Sequence, residues 1–123
     1  MIRDMDLVRA LLLWFERPEF NGRTFIAPDK PEDVGIVNHS LDEVDYHLIL
    51  LMDEDLVKGC LMRAGATVGV SRLTWRGHEL LADIRDPDIW VKTKERAKGL
   101  TSVGIALIWE IAKAEIRNKL GLP

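Results

Sequence analysis

Cysteine is almost missing from this chain. Cys60 is the single one among 123 residues, so an intramolecular disulfide is impossible and a thiolate zinc site would have one ligand to draw on, a pattern that suits a reducing compartment. Long apolar runs are missing too. Stretches such as Leu11 to Phe15 are far too short to span a bilayer, and Arg3, Asp4, Asp6 and Arg9 interrupt anything resembling a signal-peptide core. A soluble, cytoplasmic protein without a membrane partner is the expectation. Positive charge is not in surplus: 17 basic residues face 20 acidic ones for a net charge of -3. That excludes a non-specific polyanion binder of the histone kind and leaves a local basic patch open.

Catalytic and ligand-binding patterns are lacking as well. His39, His47 and His78 lie on different segments, and none stands in a His-x-x-x-His or Cys-x-x-Cys spacing that would bring two metal ligands together. Gly69-Val70-Ser71-Arg72-Leu73 lacks the second glycine of a nucleophile elbow, and no phosphate-cradling or dinucleotide glycine pattern occurs. No metal, no cofactor and no enzymatic activity are therefore expected. His47, four residues after Glu43, is predicted to be its partner on a helix surface.

What is present is the composition of one ordinary globular domain, 47% hydrophobic and 30% charged, long enough to bury roughly two thirds of its unfolded surface. Leu7, Val8, Leu11, Leu12 and Phe15 recur at helical spacing, predicting a helix over Asp4 to Arg17 that Pro18 ends. Leu13 falls among the polar positions and Trp14 at the stripe's edge, which points to a second element or a partner subunit covering that side. Pro18, Pro28, Pro31 and Asn21-Gly22 mark a loop-rich connection with short extended pieces such as Thr24 to Ala27. Ser40-Leu41-Asp42-Glu43 matches a capping box, and Leu41, Val44, Leu48, Leu51 and Met52 form the stripe of a helix running to about Glu54.

Leu56 to Ala64 and Thr67 to Leu73, separated by Gly65-Ala66, read as a two-stranded hairpin. Thr74 is then placed to cap a helix carrying Leu80, Leu81 and Ile84. Asp86-Pro87 starts another helix, through Trp90, Thr93 and Ala97 to Gly99. Ser102 is the expected cap of the last helix, which stops near Gly121 and carries apolar residues on two sides: Ile105, Ile108, Trp109, Ala112 and Ile116 on one, Leu107, Ile111 and Ala114 on the other. The expectation is an α+β, mainly helical single domain, 1–123, with a C-terminal helical extension over about 86–121.

Helix, loop, helix, hairpin and helices is the layout of a winged helix-turn-helix with a β-hairpin wing. Leu73-Thr74-Trp75-Arg76-Gly77-His78-Glu79 resembles the L-T-x-x-G start of the helix after the wing. Tyr46-His47-Leu48 through Leu51 to Leu56-Val57 resembles a recognition helix turning into the first wing strand, with Asp55 where regulators of this kind usually carry glycine. Together with Met1 to Leu12 and with Ile84-Arg85-Asp86, Trp90 and Lys94, these segments resemble an uncharacterised winged-helix family of bacteria and prophages. That family is known only as a domain of unknown function and is similar in layout to YjcQ-type phage winged-helix proteins. The resemblance implies the fold and brings no activity or site residues with it.

Charge is segregated along the chain. Ser40 to Val57 holds six acidic residues and no Lys or Arg, so the second helix would be repelled by phosphates in a major groove. Lys58, Arg63, Arg72 and Arg76, by contrast, lie in a stretch without Asp or Glu. A second cluster, Lys92, Lys94, Arg96 and Lys98, is offset by Glu95 alone. The expected function is regulatory binding of double-stranded DNA, with Lys58, Arg63, Arg72 and Arg76 on the wing as candidate contacts. The alternative is a protein-interaction module that uses the acidic helix 40–54 or the apolar last helix. Leu13, Trp14, Leu107 and Ile111 are the candidate residues of a homodimer interface.

Overall fold

The computed structural model describes residues 1–27, 38–62, 67–100 and 103–123. Its elements are α1 (Met5–Trp14), α2 (Leu41–Asp53), β1 (Val57–Met62), β2 (Thr67–Leu73), α3 (Trp75–Ile84), α4 (Pro87–Ala97) and α5 (Ile105–Leu120). Among the described residues the fold is α+β and mainly helical, with one antiparallel hairpin. The chain forms two compact units, Met1–His78 and Glu79–Pro123.

In the first unit α1 buries Leu7, Val8, Leu11 and Leu12, as their spacing predicts. The helix begins one residue later than expected, because the Asp4 carboxylate accepts from the amides of Asp6 and Leu7 and so caps it from outside. It also ends at Trp14 instead of Arg17. Trp14, Phe15 and Phe20 gather into an aromatic cluster with ring centroids 4.9 to 5.3 Å apart. The amides of Glu16 and Arg17 turn back onto the Leu13 and Trp14 carbonyls at 3.3 and 3.2 Å. Tight three-residue turns and aromatic closure thus end the helix ahead of Pro18, which has no N–H to offer the Trp14 carbonyl.

The capping box of α2 is formed as the sequence implies: the Ser40 hydroxyl accepts from the Glu43 amide and Glu43 reaches back to the Ser40 amide. The buried face, however, is Val44, His47, Leu48 and Leu51, while Leu41 and Met52 are half-buried. His47, expected on the surface, is 1% exposed.

A short connection joins α2 to the hairpin. Asp55 takes the left-handed conformation, φ 55°, which Asp reaches more readily than most side chains other than Gly and Asn. Leu56 is buried, and its carbonyl accepts from the Thr74 amide at 3.0 Å. The Thr74 hydroxyl donates to the Asp55 carbonyl at 2.5 Å and accepts from the Gly77 amide at 3.0 Å, capping α3 and holding it to the base of the hairpin. A Cβ on Gly77 would lie 2.1 Å from the Leu56 oxygen. The Leu-Thr-x-x-Gly pattern is thus the signature of one junction.

In the hairpin, Lys58 pairs with Arg72 and the next pair is Gly59 with Val70, so Ser71 has no residue opposite it. This bulge shifts the alternation by one: Val68 and Val70 point inward before it, Ser71 and Leu73 after it, and Arg72 is turned outward. The Thr24 to Ala27 segment contributes a single bridge, Ile26 to Val70, with both hydrogen bonds made at 3.0 and 2.9 Å. The expected turn at Gly65-Ala66 lies outside the described residues, as do Pro28 and Pro31.

The second unit is stitched by caps and ion pairs. Asp86 caps α4 through the amides of Asp88 and Ile89, with Pro87 at the first helical position. Ile89, Trp90 and Thr93 are buried on α4, and α5 packs on it with Ile108 and Ala112 buried. Trp109 donates its indole N–H to Asp83 at 2.6 Å, Arg96 meets Glu115 at 3.2 Å, and Lys119 meets Asp86 at 3.0 Å. Ser102 lies outside the described residues. The residue at the cap position of α5 is Gly104, which supplies no side-chain hydrogen bond.

Two glycines should therefore respond oppositely. Gly77→Ala forces the Leu56 carbonyl away from α3 and is expected to cost about 2 to 4 kcal/mol. Gly104→Ser meets open space and is expected to add roughly a few tenths of a kcal/mol by supplying the missing cap. Urea unfolding of the two variants beside the parent checks both; a Gly77→Ala protein of parental stability would contradict the junction.

Candidate nucleic-acid interface

The bulge at Ser71 decides which cations are displayed. Because Lys58 and Arg72 are opposite each other in the register and both exposed, their side chains leave the same face at the base of the hairpin. The carbonyl of Ser71 accepts from the Gly22 amide at 2.9 Å. Gly22 has φ 86°, and a Cβ there would come within 3.2 Å of the Arg72 side chain, so a glycine suits both the backbone and the close approach. The next residue along, Arg23, is exposed. Its place beside the hairpin carries no signal in the sequence, since the pairing joins segments about fifty residues apart and Arg23 stands in an ordinary Asn-Gly turn.

The cations differ in how far their charge is already answered. Arg72 donates to the Leu73 carbonyl at 3.0 Å and, among the described residues, has no carboxylate in ion-pair reach. Lys58 lies 3.3 Å from Asp55, with both side chains more than half exposed, a pairing of little energetic weight. Arg76 is already engaged: its guanidinium donates to the Glu54 carbonyl and lies 3.5 Å from the Glu54 carboxylate. Arg63 lies outside the described residues. Trp75, at the start of α3, is 80% exposed, which places a large aromatic surface one residue from Thr74.

The outer face of α2 and the turn after it is acidic, with Asp42, Asp53, Glu54 and Asp55 exposed. Asp45 is half-buried: its Oδ1 is fully enclosed without a hydrogen-bond partner among the described residues, and the carboxylate accepts from the Val68 amide. Burial pushes its pKa up, the Val68 bond opposes this, and the nearby Asp42 charge adds to the rise. Glu43 goes the other way, held below its ordinary value first by the His39 side chain and then by the Ser40 amide. The helical partner of the Glu43 carboxylate is therefore His39, not His47. His47 instead directs Nδ1 to the Glu43 backbone carbonyl at 2.8 Å and takes the Asp4 amide on Nε2 at 2.8 Å. Among the described residues no group of His, Cys, Asp and Glu is arranged to hold a metal ion.

The four residues expected at a dimer interface have different fates. Leu13 is half-buried, and Trp14 belongs to the aromatic cluster, its indole N–H enclosed without an acceptor among the described residues. Leu107 is 46% exposed and Ile111 half-buried. Leu13 and Trp14 belong to the first unit, Leu107 and Ile111 to the second. Among the described residues no helix is long and apolar enough to cross a membrane.

A raised carboxyl pKa means that the folded chain favours the neutral form, so the stability tied to Asp45 is present at low pH and lost as pH rises through the raised value. Asp45→Asn keeps an acceptor for Val68 and removes the charge. It is expected to stabilise the protein at neutral pH by about 0.5 kcal/mol after solvent screening, with the gain vanishing towards roughly pH 3. Urea midpoints at acid and neutral pH give the comparison; a loss of stability at neutral pH would show that the charge is favourable there.

Residues 2–104 match the family described as hypothetical protein (DUF2513). The chain is also similar to an uncharacterized protein of Haemophilus influenzae, 31% identical over 124 residues, an alignment that covers 98% of this chain and 99% of that one. No solved structure matches. The match over most of its length, with a relative alignable from end to end, makes this chain a member of the DUF2513 family.

Proposed function

We propose that the chain is a non-enzymatic winged-helix protein that binds double-stranded DNA through the base and strands of its hairpin. The observation that carries this reading is the outward placement of Lys58 and Arg72, on the same face, by the Ser71 bulge. The order of helix, bridge segment, helix and hairpin supports the winged-helix part, with α2 in the recognition position and β1–β2 as the wing. Two cations at strand positions suit a duplex backbone, where Lys and Arg neutralise phosphates and release counterions. Arg23 joins them as a third contact, and Trp75 supplies an aromatic face that a sugar or base edge can cover. The acidic face of α2 turns the usual docking around: that helix stays out of the groove and the wing makes the contact. Arg76, engaged by Glu54, takes a lesser part than its place in the sequence implies.

A second reading, docking of a protein partner on α2, is favoured by the exposed Ile49 among exposed carboxylates, 38% accessible on the outer face. The two readings differ in salt dependence, since phosphate contacts weaken steeply with salt and an apolar contact does not.

Titration of a labelled duplex at two salt concentrations is the decisive measurement. Arg23→Ala, Lys58→Ala and Arg72→Ala are each expected to weaken binding several-fold and to reduce the salt slope by about 1. Arg76→Ala is expected to do less, and Asp42→Ala to leave affinity equal or higher. Absence of duplex binding at low salt removes the DNA reading.

A further inference from the structure

The caps of α1 and α2 are joined by two imidazoles into a closed ring. Asp4 caps α1 and Glu43 completes the capping box of α2. His39 lies between their carboxylates, Nε2 3.3 Å from Asp4 Oδ2 and Nδ1 2.9 Å from Glu43 Oε2. His47 lies between their backbones, accepting from the Asp4 amide and reaching the Glu43 carbonyl, both at 2.8 Å. All four residues belong to the first unit.

The two rings require opposite proton inventories. A carboxylate oxygen only accepts, so an imidazole facing one at each nitrogen must carry both protons. His39 therefore fits as imidazolium. His47 must accept at Nε2 from an amide and donate at Nδ1 to a carbonyl, which only the neutral ring protonated at Nδ1 can do. A proton added at His47 Nε2 points N–H at N–H; a proton removed from His39 leaves one carboxylate facing a lone pair.

We propose that this ring is a pH-gated latch that fastens the start of α1 to α2 only in the window where His39 is doubly protonated and His47 neutral. A proton added to His47 breaks its bond to the Asp4 amide. A proton lost from His39 breaks the link between the two caps. The depressed Glu43 pKa, whose largest cause is the His39 hydrogen bond, keeps that carboxylate charged through the window. The other groups near the latch are the Tyr46 ring, 6.0 Å from His47, and Arg3 and Asp42, which line the open cleft beside Asp4 and Glu43.

Histidine-ring nitrogen NMR across roughly pH 5 to 8, with amide exchange read on the same sample, tests this. Within the window His47 is expected as the Nδ1–H tautomer and His39 as imidazolium. Acidification should lower the protection factor of the Asp4 amide, the unstructured exchange rate at the same pH divided by its own, about tenfold while the Leu48 and Leu51 amides keep theirs. His39→Gln leaves the acid-side change intact and abolishes the alkaline one; because His39 is only partly buried, this variant should fold even if substitutions at His47 do not. An Asp4 amide indifferent to protonation of His47, or a neutral His39 throughout the window, overturns the latch.

Discussion

One carbonyl oxygen, that of Leu56, organises the first unit. It accepts the Thr74 amide and lies where any side chain larger than hydrogen at position 77 would stand. The residue just before it is held as well, since Thr74 bonds to the Asp55 carbonyl. The end of α2, the base of both strands and the first turn of α3 therefore converge on two consecutive peptide groups. Three demands meet there: a left-handed residue at 55, a hydroxyl at 74 and a bare Cα at 77. Because interiors are close-packed, a shift at any one is transmitted to the other elements. The direction in which the hairpin leaves α2 follows from this junction and not from the strands, which alone form only a marginal two-stranded ribbon.

The carboxylates of this acidic chain divide into those that act and those that merely solvate. Asp4, Glu43 and Asp86 satisfy helix amides that would otherwise be orphaned. Asp83 takes an indole proton and Asp55 follows the sharp turn into β1. Asp42 and Asp53 remain on the surface of α2. A net charge of -3 thus says little about binding, because several of the negative charges are committed to backbone or side-chain donors. The arrangement around Lys58 and Arg72 is more informative than the total.

Much of this was legible in the sequence, for identifiable reasons. Caps and helix periods are local: Ser40 with Glu43, Asp86 with Pro87, Thr74 with Gly77, and the buried Leu7, Val8, Leu11 and Leu12 are all written within four residues of one another. Long-range contacts were not. His47 pairs across 43 positions with an amide of Asp4, and a backbone donor leaves no mark in the sequence, so the nearer Glu43 side chain looked like the partner. Trp14 signalled the need for a cover but not its source: Phe20, which meets it edge-on, lies beyond the proline that marks the end of the helical pattern. The bulge at Ser71 was invisible because Thr67 to Leu73 alternates acceptably in either phase until its pairing with β1 is known. Arg23 was missed because only that pairing brings it near the hairpin.

The bulge also changes what length means in this strand. In a regular strand every added residue turns the ones after it to the other face; here the bulge takes up one residue and leaves the facing of Arg72 and Leu73 set by their partners Lys58 and Val57. Removing Ser71 alone would restore simple alternation with Arg72 still outside and Leu73 still inside. The same residues paired without the bulge would turn Arg72 inward and Leu73 outward. A homologue that is one residue shorter here can therefore present the same surface on a regular strand.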